Sequence, residues 1–502
     1  MKNLTPNVQS RNMYESVVEV DNQLQTNNQQ KEAIFNTLLQ KISKEHPVDW
    51  NVIIQLLEAG DGYITESSKK KIFKVGAIKL LVSFARLNNF FLAKNDSKIF
   101  VYNGKFWIEV EEDLIKQFLR LASLGLRVPA WIASDVQFIN DLYKQLLYDS
   151  YFDGFENTNQ TLINLQNGTI RIGLDGVQLQ GFDQINFLTH QLNFDYDPNA
   201  KNTLWTDFLD TVLPDKLTQK TLQQSLGYLF IQDLKLEKAI FLFGTGSNGK
   251  SVIFEVLNGL LSQDMITNYS LESLTGANGY HRANLNNKLI NYGTDISMKQ
   301  INHGIFKQLV SGEPIEVRQI YEKPFIMKRY AKLIFNLNRI DDADVESTIG
   351  FFRRMIFIPF EVTIEPHQQD KTLHKKILQN KAGVLNWILE GTKEVLNNQE
   401  IFISPACDLF LDNFKKDSNL AIRFKEQYGF KHSNKDKLSF QETYEKFRDF
   451  CQGQGEKPWT QKFFNSELKK LGFKSTRTSS GYVWHISAQQ KPAFFTASFR
   501  KK

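Results

Sequence analysis

The sequence predicts an α/β protein whose core is preceded by a mainly helical region and followed by helices and a terminal hairpin. Between about residues 202 and 391, short apolar runs alternate with helical segments, which is typical of a parallel sheet with helices on its faces. The residues before this part carry apolar side chains at helical spacing, and the last hundred residues end in a strand–turn–strand pattern. With 502 residues, the chain is long enough for about three domains.

The sequence divides into four stretches. Residues 1–30 are rich in Asn, Gln and acidic residues, have little apolar surface to bury, and are predicted to be a disordered tail. Residues 31–200 form the predicted helical N-terminal region, and residues 201–400 form the α/β core. Residues 401–502 are predicted to be a helical linker followed by a small C-terminal domain.

Local patterns define the elements of the N-terminal region. A hairpin is predicted over Ile99–Ile108, because its Asn103-Gly104 pair is a strong signal for a two-residue turn. A second short strand pair is predicted within Thr161–Ile172, around Asn167-Gly168. Apolar residues recur at helical spacing in four segments: Ala33–Ile42, Trp50–Leu57, Val75–Leu87 and Leu114–Leu124.

Composition excludes several classes of protein. The two cysteines, Cys407 and Cys451, are too few for a disulfide scaffold or a cysteine-based zinc site, and they fit a reducing cytoplasm. No apolar run is long enough to span a bilayer, and residues 1–30 lack the basic start and apolar stretch of a signal peptide. We therefore expect a cytoplasmic protein without a membrane partner.

The clearest chemical motif is the glycine-rich segment at residues 244–251. It follows Ala239–Phe243, a wholly apolar run that we predict to be a buried strand. Glycines in this motif allow backbone amides to turn toward phosphate oxygens, Lys250 supplies a positive charge for the β- and γ-phosphates, and Ser251 offers a hydroxyl to Mg²⁺. The next run, Val252–Leu261, is predicted to be a helix whose amino terminus faces the phosphates. We expect ATP and Mg²⁺ to bind here. The motif matches the phosphate-binding loop GxxxxGK[ST] and reads Gly244-Thr245-Gly246-Ser247-Asn248-Gly249-Lys250-Ser251.

An NTPase also needs a carboxylate close to its metal and its attacking water. Lys288–Asp295 is predicted to be an extended segment ending in Asp295, which would hold Mg²⁺ or orient the water. Lys332–Asn338 is a second strand-like run, and an Asn at position 336 or 338 could sense the γ-phosphate. Taken alone, either Asn would more often be a turn residue.

Taken together, the order and spacing of these motifs resemble the helicase portion of the phage/plasmid primase family. That family includes poxvirus-type helicase-primases and belongs to superfamily 3, with an AAA+ core. The resemblance covers about Thr161–Phe360. It rests on Asn248 ahead of Gly249-Lys250-Ser251, on Phe306–Pro314, Val317–Phe325, Asn338 and Gly350–Phe360, and upstream on Asn164–Gly168 and Phe194–Pro198.

The resemblance implies an AAA+ ATPase that assembles into a homo-oligomeric ring, a hexamer, with ATP and Mg²⁺ bound between subunits. It implies a DNA-contacting hairpin at Val317–Phe325, whose contacts we assign to Arg318, Tyr321 and Lys323. Asn338 falls at the position of the sensor Asn of the family.

Two adjacent arginines, Arg353 and Arg354, precede a strand-like apolar run, and we place that strand end beside the active edge of the sheet. One of them, with a preference for Arg354, is predicted to be an arginine finger for the neighbouring subunit's ATP. An ion pair within one subunit is the alternative.

The sequence departs from the family pattern in two places. The strand that ends in Thr294-Asp295 lacks two adjacent acids, which leaves open whether Asp295 binds the metal or activates the water. The stretch before the resemblance lacks a clustered carboxylate site, so we expect no primase activity from this chain and a separate primase or replication protein as a candidate partner. Asp341, Asp342 and Asp344 follow the sensor strand directly, which favours a solvated loop over a metal site.

Positive charge is concentrated at the C-terminal end. Residues 461–502 contain seven Lys and two Arg against one Glu, a net of +8, whereas the whole chain carries +6. A helix over Phe440–Phe450, a turn and helix over Trp459–Gly472, and a hairpin over Phe473–Ile486 with its tip at Thr478–Gly481 predict a winged helix. An oligomerisation cap with solvated lysines is the alternative. In the winged-helix interpretation, the residues that contact phosphates are Lys462, Lys469, Lys470, Lys474 and Arg477.

The predicted function is an ATP-dependent replicative DNA helicase of a phage, plasmid or mobile element, which translocates on single-stranded DNA as a ring and acts on forked DNA. The alternative is an origin-binding initiator or loader that melts or marks DNA without processive unwinding. A remodeller of protein substrates fits less well, because a pore for polypeptides has no reason to be cationic.

Overall fold

A computed structural model describes residues 33–42, 48–95, 98–149, 161–173, 175–232, 234–261, 263, 265–294, 301–321, 323–338, 349–479 and 481–487. The chain divides into two compact units after Tyr196. The predicted tail at residues 1–30 lies outside the described residues, and the predicted domain boundaries at residues 30, 200 and 400 stay predictions.

The first unit contains the helices that the apolar spacing predicts. Polar caps begin two of them, because Asp49 accepts hydrogen bonds from the amides of Asn51 and Val52, and Thr65 accepts one from Ser68. These helices share one apolar core. The helical segments are residues 33–42, α1 (Trp50–Asp61), α2 (Glu66–Leu87), α3 (Glu112–Gly125), α4 (Ala130–Ala133) and α5 (Val136–Asp149).

Two small antiparallel sheets complete the first unit, and each contains a predicted hairpin. The first is β1 (Phe91–Asn95), β2 (Lys98–Tyr102) and β3 (Trp107–Val110), and the second is β4 (Thr161–Leu165), β5 (Gly168–Gly173) and β6 (Gly176–Gln180). The pattern did not predict the outer strands β1 and β6.

The turn between β2 and β3 is longer than the two residues predicted. Tyr102 pairs with Trp107, so four residues lie between the paired positions. The Asn103 side chain accepts hydrogen bonds from the amides of Lys105 and Phe106, both at 2.9 Å, which stabilises the wider loop.

The second unit is built on a parallel five-stranded sheet, as the alternating pattern predicts. Its strand order is β13-β7-β12-β9-β8, and every neighbouring pair is parallel. The strand β7 lies inside the sheet between β13 and β12, which explains why its side chains are all apolar. The strands are β7 (Ala239–Phe243), β8 (Ile266–Thr267), β9 (Ile290–Gly293), β12 (Lys332–Leu337) and β13 (Met355–Pro359), with β10 (Ile315–Val317) and β11 (Phe325–Met327) forming a separate hairpin.

Ten helices among the described residues precede, connect or follow these strands. Helices α7 and α14 pack closely, because Gly227 and Gly391 remove the side chains at their crossing. The helices are α6 (Thr203–Val212), α7 (Lys216–Phe230), α8 (Lys250–Leu260), α9 (Leu271–Thr275), α10 (Tyr280–Ala283), α11 (His303–Ser311), α12 (Ile349–Phe352), α13 (Leu373–Ile377), α14 (Lys381–Asn398) and α15 (Pro405–Asp417).

The last part of the unit has the helices and hairpin that the sequence predicts. Thr478 pairs with Gly481, which confirms the tip of the hairpin, and an aromatic core of its own includes Phe424, Phe464 and Trp484. Strand order in its three-stranded sheet is β15-β17-β16. The elements are α16 (Leu420–Gln427), β14 (Lys431–His432), β15 (Leu438–Ser439), α17 (Phe440–Gln454), α18 (Gln461–Lys470), β16 (Ser475–Thr478), β17 (Gly481–Trp484) and β18 (Ile486–Ser487).

The crossing of α7 and α14 gives a test of the fold. Gly391→Ala is expected to destabilise the protein by about 3 kcal/mol, near the upper end for overpacking, because the new methyl group would overlap the Gln223 carbonyl. Gly453→Ala is the control, since a methyl group there meets no atom within 4 Å. Urea unfolding followed by circular dichroism would show a lower midpoint for Gly391→Ala alone, and equal midpoints would contradict this packing.

Candidate functional site

The glycine-rich loop follows β7 at the carboxyl end of the parallel sheet. Because the strands are parallel, the carboxyl ends of β9 and β12 lie at the same edge. The loop is fixed on two sides: the Gly244 amide donates to the carbonyl of Leu337 at 3.1 Å, and the Ile364 amide donates to the carbonyl of Ser247 at 2.8 Å. This edge of an open α/β sheet is where ligands usually bind.

The backbone of the loop needs glycine at defined positions. Gly246 and Gly249 have φ angles of +118° and +86°, a region that favours glycine. A methyl group on Gly249 would also come within 2.9 Å of the Phe208 ring, and one on Gly244 would come within 2.8 Å of the Phe360 carbonyl. These three glycines are therefore needed for the conformation and packing of the loop, in addition to matching the phosphate-loop sequence.

The side chains of Asn248 and Lys250 are buried inside this loop, and Lys250 is only 4% exposed. The Lys250 ammonium donates to the carbonyl of Gly244 at 2.7 Å and to Asn248 Oδ1 at 3.2 Å. Asn248 Oδ1 also accepts from the Gly246 amide at 2.6 Å, and its Nδ2 donates to the carbonyl of Val362 at 3.2 Å. The loop thus curls around the ammonium group and supplies two oxygen acceptors to it.

Two further strands end near this edge. Asn338 follows β12 and is half-buried, whereas Asp295 lies outside the described residues, so its predicted role stays a prediction. Asn336 is buried and accepts a hydrogen bond from the Tyr292 hydroxyl at 2.9 Å. Burial raises the pKa of Tyr292 well above its ordinary value, which keeps the phenol a neutral donor. The Asn336 side chain is therefore held inside the sheet by this hydrogen bond. Asn338, which follows β12, is the Asn at the carboxyl end of the sheet.

The candidate metal ligands at this edge lie only partly within the described residues. Among the described residues, no three His, Cys, Asp or Glu side chains lie close enough together to hold a metal ion. Asp341, Asp342 and Asp344 lie outside the described residues. Ser251, in the first turn of α8, is exposed, so its hydroxyl is accessible to a metal ion bound to phosphates.

The structure corrects the placement of the arginine pair. Arg353 and Arg354 precede β13, and the Arg354 carbonyl accepts a hydrogen bond from the amide of Ala239, the first residue of β7. They therefore lie at the amino end of the sheet, opposite the carboxyl end that carries the glycine-rich loop. Our placement beside the active edge was wrong, because the parallel pairing of β13 with β7 could not be read from the local sequence.

The two arginines have different environments. Arg354 has a side chain only 11% exposed, and it contacts Glu237 at 2.9 Å, Ser311 Oγ at 2.9 and 3.1 Å, and the carbonyl of Gly350 at 2.6 Å. The Arg353 side chain is 59% exposed, and it contacts Glu237 at 3.0 Å. Arg354 is thus built into the fold, whereas the guanidinium of Arg353 is accessible.

Glu237 is a residue that the sequence analysis missed. It has a φ angle of +56°, and one of its carboxylate oxygens contacts both Arg353 and Arg354. Next to it, Lys238 donates to the carbonyl of Arg353, and burial, together with the charge of Arg353, lowers the pKa of Lys238. The carboxylate of Glu237 therefore offsets the charge of a small cluster of cations. No sequence signal marks its contact with Arg353, because the two residues are 116 positions apart.

The predicted hairpin at Val317–Phe325 is present. Strands β10 and β11 pair antiparallel, with Val317 opposite Phe325. Between them, Arg318 and Lys323 are exposed, and Tyr321 is 99% exposed with a φ angle of +65°. A cationic and aromatic surface therefore projects from this hairpin.

The predicted basic residues of the C-terminal part are all exposed. They lie on α18, in the turn that follows it and on β16, and Lys470 also forms an ion pair with Glu467 at 2.6 Å. Their exposure is what contact with a nucleic-acid backbone requires, and it does not distinguish this role from that of solvated lysines. These residues are Lys462, Lys469, Lys470, Lys474 and Arg477.

The fold and site define a class: a mixed α/β protein whose parallel sheet carries a strand, a glycine-rich loop and a helix in direct succession. Residues 83–214 match the family described as D5 N terminal like. Residues 242–354, which include the loop and both arginines, match a family of unknown function, DUF5906.

Comparison with individual proteins gives one curated relative and several solved structures. A protein of Acanthamoeba polyphaga mimivirus named "Putative helicase" is 24% identical over 251 residues, which are 48% of this chain and 25% of that protein. The chain therefore spans about a quarter of that relative's length. Two apo structures of the C-terminal region of NrS-1 align with TM-scores of 0.45 and 0.44 at 10% and 12% identity, covering 83% and 81% of this chain and 99% of each of those chains. No helix among the described residues is long and apolar enough to cross a membrane.

Proposed function

We propose that this chain is an ATP-hydrolysing replicative DNA helicase of a phage, plasmid or other mobile element, with a superfamily 3 AAA+ core. The observation that carries the proposal is the buried Lys250 ammonium inside a glycine-rich loop at the carboxyl end of a parallel sheet. The similarity to a viral protein named as a helicase and to the D5 N-terminal-like family supports it. The protein acts as a homo-oligomeric ring, a hexamer, on single-stranded and forked DNA, alongside a separate primase or replication protein.

Nucleotide would bind to the loop without a change in its backbone conformation. Phosphate oxygens replace the carbonyl of Gly244 and Asn248 Oδ1 as acceptors for Lys250, and the loop amides donate to the same phosphates. Ser251 and Asp295 would hold Mg²⁺, which neutralises phosphate charge when bound. Asn338, at the end of β12, senses the γ-phosphate from the same edge of the sheet.

DNA binding would use two separate surfaces. The hairpin residues Arg318, Tyr321 and Lys323 combine charge with an exposed ring, which suits a single strand. In the C-terminal part, α16, α17 and α18 are followed by the β16–β17 hairpin, and β15 pairs with β17. This order of elements supports a winged helix, in which α18 and the hairpin present the basic residues to phosphates.

The hairpin assignment is tested by the double variant Arg318→Ala/Lys323→Ala. We expect weaker binding to single-stranded DNA, and a salt dependence (the slope of log K against log salt concentration) less steep by about 1.4, because two phosphate contacts are lost. Lys393→Ala, an exposed lysine on α14, is the charge control. If affinity and slope stay at the wild-type values in the double variant, the hairpin does not contact DNA.

The second candidate function is an origin-binding initiator or loader, and the exposed basic residues of α18 and β16 favour it. ATPase stimulation separates the two functions. A translocating helicase responds to single strands of any sequence, whereas an initiator responds to one duplex sequence. Stimulation by unrelated single strands of equal length is the result that the helicase proposal requires.

A further inference from the structure

Three aromatic side chains in the C-terminal part form a cluster that runs from the core to the surface. Phe440, the first residue of α17, stacks against Trp484, with ring centroids 4.6 Å apart and planes at 18°. It also stacks against Tyr482, at 5.4 Å and 30°. Trp484 is fully buried and Phe440 is half-buried, but Tyr482 is 51% exposed. The core thus holds the Tyr482 ring in place and leaves half of the residue accessible.

The position of Tyr482 on the hairpin gives it a charged neighbour. Tyr482 on β17 is directly opposite Arg477 on β16, and residues that face each other in this way project from the same side of a sheet. Arg477 is exposed, and Lys474 lies just before β16. An aromatic ring stacked on the core therefore projects from the same side of the sheet as Arg477, in a part of the chain that carries a net charge of +8 over residues 461–502.

We propose that Tyr482 is a stacking platform for an unpaired nucleobase, with Arg477 contacting the adjoining phosphate. The chemistry favours this ligand, because a base offers a flat apolar face to the ring and its backbone offers negative charge to the arginine. A ring already fixed by Phe440 loses little freedom when a base stacks on it. The C-terminal part then binds single strands or the unpaired bases at a fork in preference to closed duplex. This inference rests on the proposed role in DNA binding.

The test is equilibrium binding of the full chain, without ATP, to a single strand containing 2-aminopurine and to a blunt duplex of the same length. For Tyr482→Ala we expect a loss of roughly 5- to 150-fold in affinity for the single strand, the range that stacking on one aromatic residue gives, and a loss of 2-aminopurine quenching. Tyr482→Phe keeps the ring and should bind as the wild type does. Tyr63→Ala, which removes an exposed tyrosine of the first unit, is the matched control.

Salt dependence separates the ring from the charge. Arg477→Ala should lower the slope for the single strand by about 0.7, whereas Tyr482→Ala should weaken binding with the slope kept. The proposal is overturned if Tyr482→Ala binds the single strand normally, or if it loses single strand and duplex equally. A wild-type protein that binds neither DNA, but whose self-association falls in Tyr482→Ala, would show that the ring belongs to an interface between copies of the chain.

These outcomes are independent of the helicase proposal. Binding is measured without nucleotide, so a chain that fails to hydrolyse ATP can still show stacking at Tyr482. An active helicase can equally lack it. Urea unfolding followed by circular dichroism reports whether each variant keeps its fold.

Discussion

Lys250→Ala is expected to abolish measurable ATP hydrolysis, a loss of at least roughly 10²–10³-fold in rate. Phosphoryl transfer depends mainly on positioning and on neutralising charge, and Lys250 is the cation enclosed by the phosphate loop. Phosphate release at saturating ATP is the measurement. The buried position of Lys250 makes its charge effective, because water screens a buried ammonium group less than an exposed one.

The control for this variant must separate chemistry from folding. Lys393→Ala removes an exposed lysine from α14 and should hydrolyse ATP at the wild-type rate. Thermal unfolding of Lys250→Ala should show that the fold survives, since the hydrogen bonds of its ammonium group to Gly244 and Asn248 lie within one loop. Normal hydrolysis by a folded Lys250→Ala protein would contradict the assignment of the loop as the catalytic phosphate site.

Arg353→Ala is expected to lower ATP hydrolysis by roughly 10³–10⁵-fold, the effect typical of an arginine finger. Its own phosphate loop is at the far end of β7, about 15 Å away along five strand residues, so Arg353 cannot serve that site. Its exposure makes it free to reach the nucleotide of a neighbouring subunit by leaving Glu237. The structure therefore moves our preference from Arg354 to Arg353, because Arg354 is buried and fixed by Ser311 and Gly350.

A mixing experiment tests whether the arginine acts between subunits. Subunits with Lys250→Ala keep the arginine, and subunits with Arg353→Ala keep the phosphate loop, so mixed rings contain some complete sites. We expect ATP hydrolysis to return in part on mixing. Absence of rescue in mixed rings of proven composition would contradict a finger at Arg353, and rescue of Arg354→Ala instead would return the role to Arg354.

The sequence was sufficient for features that depend on local spacing. The apolar run Ala239–Phe243, the glycines that follow it and the helix after Lys250 are adjacent in the chain, and the structure has all three. The C-terminal helices and their hairpin followed equally from periodicity and the Thr478–Gly481 turn. Each of these predictions used interactions within a few residues.

What the sequence could not provide depends on pairing between distant segments. The end of the sheet at which Arg353 lies is set by the register of β13 against β7, and its pairing with Glu237 joins residues 116 positions apart. The stacking of Tyr482 on Phe440 likewise joins a residue of β17 to the first residue of α17. The outer strands β1 and β6 were also missed, because their place in each sheet depends on pairing with β2 and β5.

The coupling of ATP hydrolysis to DNA unwinding, which we propose for this chain, is measured by strand displacement from forked DNA. We expect displacement by the wild-type protein only with a hydrolysable nucleotide, in a complex whose measured mass corresponds to a ring of subunits, and no displacement by Lys250→Ala. ATP hydrolysis without displacement of any forked substrate, or stimulation by one duplex sequence alone, would contradict it.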